Sequence, residues 1–196
     1  MHNTASNTQK RQARQSLGLA ENDRVALYAG NLDAYQGLDP VLRGFAQIKN
    51  DRPKLVVLTA SNAEGLAKQI LQLKLGPDLI VLALDNTEQR QRALCSADFA
   101  IVPRQIEGGL PVKLLDALAL ALPIVCSPKA LAGLPLQAGL VVAKNNSAPD
   151  FKEAIQHMCQ TLQSQTERIK QSQNYLKTHH SPQAYLNALS SIPSLS

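Results

Sequence analysis

Six short apolar runs punctuate the chain: "RVALYAG" (24–30), "KLVVLTA" (54–60), "LIVLAL" (79–84), "DFAIVP" (98–103), "PIVCS" (123–127) and "GLVVA" (139–143). None of them alternates apolar with polar residues. A strand with one face in water alternates; a continuously apolar strand is covered on both faces, which is the habit of parallel sheets. The runs are separated by stretches of helical spacing: 38–51, with Leu38, Val41, Leu42, Phe45 and Ile48 on one face, then 61–76, 86–97 and 110–121. A Ser61/Asn62 cap and a closing Gly76 bracket the second of these, and Asn86 or Thr87 caps the third. Strand and helix in strict alternation predict an α/β fold: a doubly wound, Rossmann-like parallel sheet of about six strands. From Asp150 the chain reads as helical almost to its end, with a break near "HHSP" (179–182), giving a helical C-terminal tail over 150–192. The polar opening "MHNTASNTQKRQAR" (1–14) reads as a flexible arm, followed by a short helix and turn before the first strand. The domain proper is expected over 15–196.

Composition narrows the function classes. Aromatic residues make up 4% of the chain and tryptophan is absent, which argues against base-stacking platforms for single-stranded nucleic acid. The net charge of +5 is mild, and part of it sits on Lys10, Arg11 and Arg14, so no nucleic-acid footprint is expected. A peripheral membrane contact remains open. The three cysteines, Cys95, Cys126 and Cys159, share no paired spacing and read as small buried apolar groups in a reducing compartment. No stretch approaches the ~20 apolar residues of a membrane span, and the N-terminus shows no apolar signal region. The expected location is cytoplasmic.

Parallel sheets of this kind bind ligands at the carboxyl ends of their strands. Two loops there stand out. "GNLDAYQG" follows the first strand and supplies Gly30, Gln36 and Gly37. "PRQIEGGLP" follows the fourth strand and opens a helix with Gly108, Gly109, Leu110 and Pro111. Glycines let backbone approach a ligand closely, Pro111 suits a first helical turn, and the free N–H groups there favour an anion such as phosphate. Lys113 adds a point charge, and Asp116 lies one turn further on the same face, where a carboxylate suits a ribose diol. The same residues also fit a plain tight turn before a helix, with Lys113 and Asp116 as a surface ion pair.

The segment "IVPRQIEGGLPVKLLDALALALPIVCS" resembles the donor-site segment of retaining, family-4-type glycosyltransferases of the GT-B fold. "VALYAGNLDAYQGLDPVLRGFAQI" resembles that family's first strand, glycine loop and first helix; "EQRQRALCSADFAIVPR" and "HHSPQAYLNAL" are similar to later segments in the same order. The likeness runs from about Arg11 to Ile192, and corresponds to the C-terminal, donor-binding half of a GT-B enzyme. It implies that backbone from Gly108 to Pro111, through Gly109 and Leu110, holds the diphosphate of a UDP- or GDP-sugar, with Lys113 beside it and Asp116 on the ribose. Gly30, Gln36 and Gly37 would close over the phosphates, and Arg104 and Glu107 would act at the sugar as the catalytic pair. The implied reaction is sugar transfer with retention, needing no metal or other cofactor, and requiring an acceptor-binding N-terminal domain as partner. The family's two glutamates have seven residues between them; counted back from Asp116 the first falls at Gly108, so Glu107 is displaced by one residue. Many relatives carry an arginine near Asn31 and a lysine at Gln36; this chain has neither. That difference suits a second reading, a non-catalytic interaction module on the same fold. A dinucleotide-dependent oxidoreductase is disfavoured, because "GNLDAYQG" does not supply GxGxxG.

Overall fold

A computed structural model describes residues 6–109, 111–131, 138–179 and 181. Its element order is α1 (Asn7–Ser16), β1 (Val25–Ala29), α2 (Leu38–Ala46), β2 (Lys54–Thr59), α3 (Glu64–Gln72), β3 (Leu79–Ala83), α4 (Thr87–Ser96), β4 (Phe99–Val102), α5 (Val112–Ala119), β5 (Ile124–Cys126), β6 (Leu140–Val142) and α6 (Ala148–His179). The six strands form one parallel sheet in the order β3-β2-β1-β4-β5-β6. The chain runs outward from β1 to the β3 edge, then returns to place β4 beside β1. That return is the topological switch point, and it opens a crevice at the carboxyl ends of β1 and β4.

Burial on both faces explains the continuous apolar runs of β1, β2, β4 and β5. At the outer strands the expectation fails in part, since only Leu79 of β3 is buried and Val81 and Val142 are exposed. In β1, Ala26 and Tyr28 pack into one cluster with α2, α3 and the first half of α6. Val25 and Leu27 face the opposite way, toward Ala93 and Ala97 of the α4 region. Leu114, Ala117 and Leu118 of α5 cover β4 and β5, together with Ile169 from the far half of α6. The 32 residues of α6 span about 48 Å at 1.5 Å per residue, long enough to seal the sheet on both faces.

Two local expectations are corrected. The flexible arm over 1–14 gives way, from Ser6 onward, to α1. Ser6 forms a capping box with Gln9: its Oγ accepts from the Gln9 N–H and its own N–H donates to Gln9 Oε1. Arg14 of this helix is buried and donates to the Ser96 carbonyl and to Asp98, an anchor 84 residues away that a polar sequence does not announce. Next, α3 ends at Gln72, not at Gly76; Lys74 takes the left-handed position at φ +55°. Its start is held by Asn62, whose side chain accepts from the Glu64 N–H. The predicted cap of α4 is correct: Asn86 accepts from the Gln89 N–H at 2.9 Å. The expected tail helix holds to His179; its continuation over 182–192, residues 1–5 and Leu110 lie outside the described residues. Among the described residues, no helix is long and apolar enough to cross a membrane.

Candidate functional site

The site forms where the β1–α2 and β4–α5 loops meet across the switch point. Their backbones are joined directly: the Gln105 N–H donates to the Tyr35 carbonyl at 2.9 Å. Gly37 makes the meeting possible. Its φ is +74°, and a Cβ there would stand 3.1 Å from Gln105 Nε2, so a side chain would meet both strain and a neighbour. The β4–α5 loop is fastened from beneath. The Arg104 N–H donates to Ser127 Oγ (2.9 Å), its carbonyl accepts from Ser127 Oγ and Asn146 Nδ2, and Lys129 Nζ donates to the Gln105 carbonyl at 2.7 Å.

The Arg104 guanidinium turns back on its own loop, donating to the Ile106 carbonyl at 3.0 Å and to the Gly108 carbonyl. It thus shapes the turn that presents Gly108 and Gly109, both exposed. Gly109 sits at φ +52°, and the loop enters α5 through Pro111, the N-cap, whose carbonyl accepts from the Leu114 N–H. No side chain caps this helix start, which leaves its dipole facing the crevice. Glu107 stands exposed on the loop with no hydrogen bond or ion pair among the described residues.

Lys113, from the first turn of α5, crosses to the other loop. Its ammonium donates to Gln36 Oε1 and lies 4.9 Å from the centroid of the Tyr28 ring. A Cβ on Gly30 would come within 3.1 Å of Nζ, so the glycine keeps that flank clear. Burial, aided by the nearby Arg104 charge, pulls the Lys113 pKa down to about 8. Tyr28 is fully buried and donates its hydroxyl to the Asn31 carbonyl. Burial, then Asp33 and Tyr35, pushes its phenol further up, so the ring stays neutral beside the ammonium.

Asp116 is exposed one turn along α5 and forms no ion pair with Lys113; the lysine goes to Gln36 instead. Both line the mouth of an apolar cleft between α4 and α5, floored by Leu58, Leu84 and Leu94 and flanked by Arg90. The structure therefore brings together Gly30, Gln36 and Lys113, and sets Gly37 against Gln105 of the facing loop, with Gly108 and Gly109 exposed on the turn before α5. It leaves Asp116 at the cleft and Glu107 on the crest of the loop. Sequence reasoning missed Tyr28 and Arg90. Tyr28 is the sole aromatic of its strand, two residues before a site glycine; Arg90 carried no signal, because only the packing of α4 beside α5 brings it to the cleft.

The chain as a whole has known relatives. The chain is 30% identical over 118 residues to the putative teichuronic acid biosynthesis glycosyltransferase TuaC of Bacillus subtilis, a match covering 60% of this chain and 28% of that protein. Its fold resembles Anabaena HepE, solved in complex with UDP and glucose, with a TM-score of 0.77 at 16% identity over 96% of this chain and 53% of the other. It also resembles the C-terminal domain of the group 1 glycosyl transferase LpcC from Francisella tularensis, with a TM-score of 0.72 at 10% identity, covering 88% of this chain and 93% of that domain. The chain thus has the GT-B C-terminal-domain fold and spans about half of HepE and under a third of TuaC. The profile of the family described as "Glycosyl transferases group 1" matches residues 23–161. That span takes in the whole sheet and both site loops, and the chain belongs to the glycosyl transferases group 1 family.

Proposed function

We propose that this chain is the donor-binding half of a retaining glycosyltransferase, and that it holds a UDP- or GDP-sugar at the carboxyl edge of its sheet. The observation that carries this reading is Lys113: a largely buried ammonium, aimed between two glycine loops and held there only by an amide oxygen and an aromatic face. Such a cation gains strongly from an anionic guest. The diphosphate sits against the Gly108–Pro111 turn and the start of α5, where backbone N–H groups, helix dipole and Lys113 oppose its charge as the leaving group departs. The nucleoside lies along the α4–α5 cleft, its base on Leu58, Leu84 and Leu94 and its ribose on Asp116. HepE, a fold relative, was solved with UDP, which supports a uridine nucleotide as the first candidate. Sugar transfer itself requires an acceptor-binding domain, supplied by the remainder of a longer chain or by a partner. No metal enters this reading.

A second reading, a non-catalytic module on the same fold, draws on the loop. Arg104 is committed to the carbonyls of Ile106 and Gly108, and Glu107 is unengaged and exposed, so neither of the proposed sugar-side pair is yet aimed at a substrate. Thermal melting with UDP, GDP, ADP and their sugars separates the two. A ligand at 100 times its Kd adds about 2.7 kcal/mol of stability, so the donor reading expects one nucleotide family to raise Tm by several degrees. A cooperative melt unmoved by any of them favours the non-catalytic module.

A further inference from the structure

The charge at the heart of this site is delivered from α5 but aimed from the opposite loop. A lysine ammonium has three N–H donors on a flexible four-carbon stem. In Lys113 one donor goes to Gln36 Oε1, and the Tyr28 ring covers one face. Every group facing the ammonium is neutral or positive. β1 contributes the neutral Tyr28 phenol, the β1–α2 loop contributes the Gln36 amide, and the β4–α5 loop contributes the Arg104 guanidinium. Asp33 of the β1–α2 loop acts on Tyr28, and Asp116 of α5 makes no ion pair with Lys113, nor does any carboxylate among the described residues. Gln36 is the half-buried last residue of a three-residue turn with no fully buried member, so its side chain lies outside the core clusters. Its one described engagement is the ammonium, 77 residues away in sequence.

Resting on the donor-binding reading above, we infer that Gln36 is a positioning residue: its amide oxygen holds the Lys113 ammonium beside the Gly30 turn, where it meets the diphosphate of the incoming nucleotide sugar. Because the two side-chain tips touch, the location of the charge is set by the contact and not by which of the two residues carries it. The cation can therefore be moved to the other loop by exchanging the pair.

The test is calorimetric titration of UDP-glucose into the full chain between pH 7 and 9.5, with a ligand-free melt of each variant as the folding control. UDP-glucose is esterified at both ends of its diphosphate and so lacks the titration near pH 6 of a terminal phosphate. The wild-type affinity is flat below about pH 8 and falls above it, as the lysine loses its proton. Lys113→Gln weakens binding about 10- to 100-fold at pH 7, the scale of a lost charge-assisted hydrogen bond. Gln36→Leu weakens it about 3- to 10-fold and moves the alkaline fall to lower pH, because the amide oxygen stabilises the charged form. The exchanged double variant Gln36→Lys with Lys113→Gln regains most of the loss. A Gln36→Leu protein with wild-type affinity, or with weakened affinity and an unmoved pH profile, overturns the positioning role. So does a folded double variant that binds no better than Lys113→Gln alone. A wild-type chain that melts cooperatively but takes up no nucleotide sugar overturns the donor-binding reading itself, a result distinct from any of these.

Discussion

The two edges of the sheet treat positive charge in opposite ways. At the amino edge, four cations share two carboxylates: Lys10 and Arg14 on Asp98, and Arg52 and Lys54 on Asp78, all within 2.5–2.9 Å. Asp98 also accepts the N–H of Val25 at 2.7 Å, so one carboxylate ties α1, β1 and β4 together. At the carboxyl edge, Lys113, Arg104 and Lys129 donate to an amide oxygen and to backbone carbonyls, with no carboxylate paired to any of them among the described residues. Neutral acceptors orient a cation without cancelling its charge. The amino edge neutralises its cations with carboxylates, whereas the carboxyl edge leaves the charge of its cations uncancelled, as the proposed anionic donor requires.

Breaking the amino edge should cost the most. Asp98→Ala strands Arg14, whose side chain is 8% exposed, together with Lys10. The expected loss is about 3–5 kcal/mol of stability, the scale of a broken buried pair, read as a fall of roughly 10 °C in Tm. Nucleotide affinity in the folded fraction should be unchanged. Lys113→Met should do the reverse. It leaves melting at neutral pH unchanged or slightly raised, since it relieves a desolvated charge, and it weakens UDP binding about 10- to 100-fold. Asp116→Ala should weaken UDP binding by about 1–3 kcal/mol, and the penalty should vanish with a 2′,3′-dideoxy nucleotide, which offers no diol. A Lys113→Met protein that melts far lower, or an Asp116→Ala penalty that ignores the ribose, erases the distinction between the edges.

Two smaller effects sharpen it. Lys113 has a folded pKa of about 8 against an ordinary 10.5, so the unfolded chain binds more protons between those values and stability rises with pH there. This contribution is full above about pH 10.5 and is lost as the pH falls through about 8; stability curves of Lys113→Met should lack it. At the amino end of β5, Ala121 closes α5 at φ +53°, with the Leu122 N–H reaching the Ala117 carbonyl at 3.0 Å. Ala121→Gly removes left-handed strain and should stabilise by about 0.5–1 kcal/mol without touching nucleotide binding.

The contrast between the edges also marks what a sequence can disclose. The inner strands were legible because two-sided burial writes itself as continuous apolar runs, although the same pattern in β3 covers a strand with only Leu79 buried. The loops were legible because Gly37 and Gly108–Gly109 take positive φ in their turns. The α1 helix was not legible. Only Ala13 and Arg14 of it are buried, and what holds it is a carboxylate 84 residues distant. Lys113 was legible as a residue type at a helix start. Its partner was not: spacing pointed along the helix to Asp116, whereas the sheet topology brings Gln36 to it from 77 residues away. Absence of a cation at position 36 looked like a loss until the fold placed a lysine tip against it.

The most direct measurement is to titrate UDP into the isotopically labelled chain and follow its backbone amide resonances. Saturable shifts concentrated in residues 28–37, 104–116 and 84–94 are expected, with the amides around Lys10, Arg14 and Asp98 unmoved. Shifts centred on the Asp98 edge, or none at millimolar UDP in a folded protein, would contradict it.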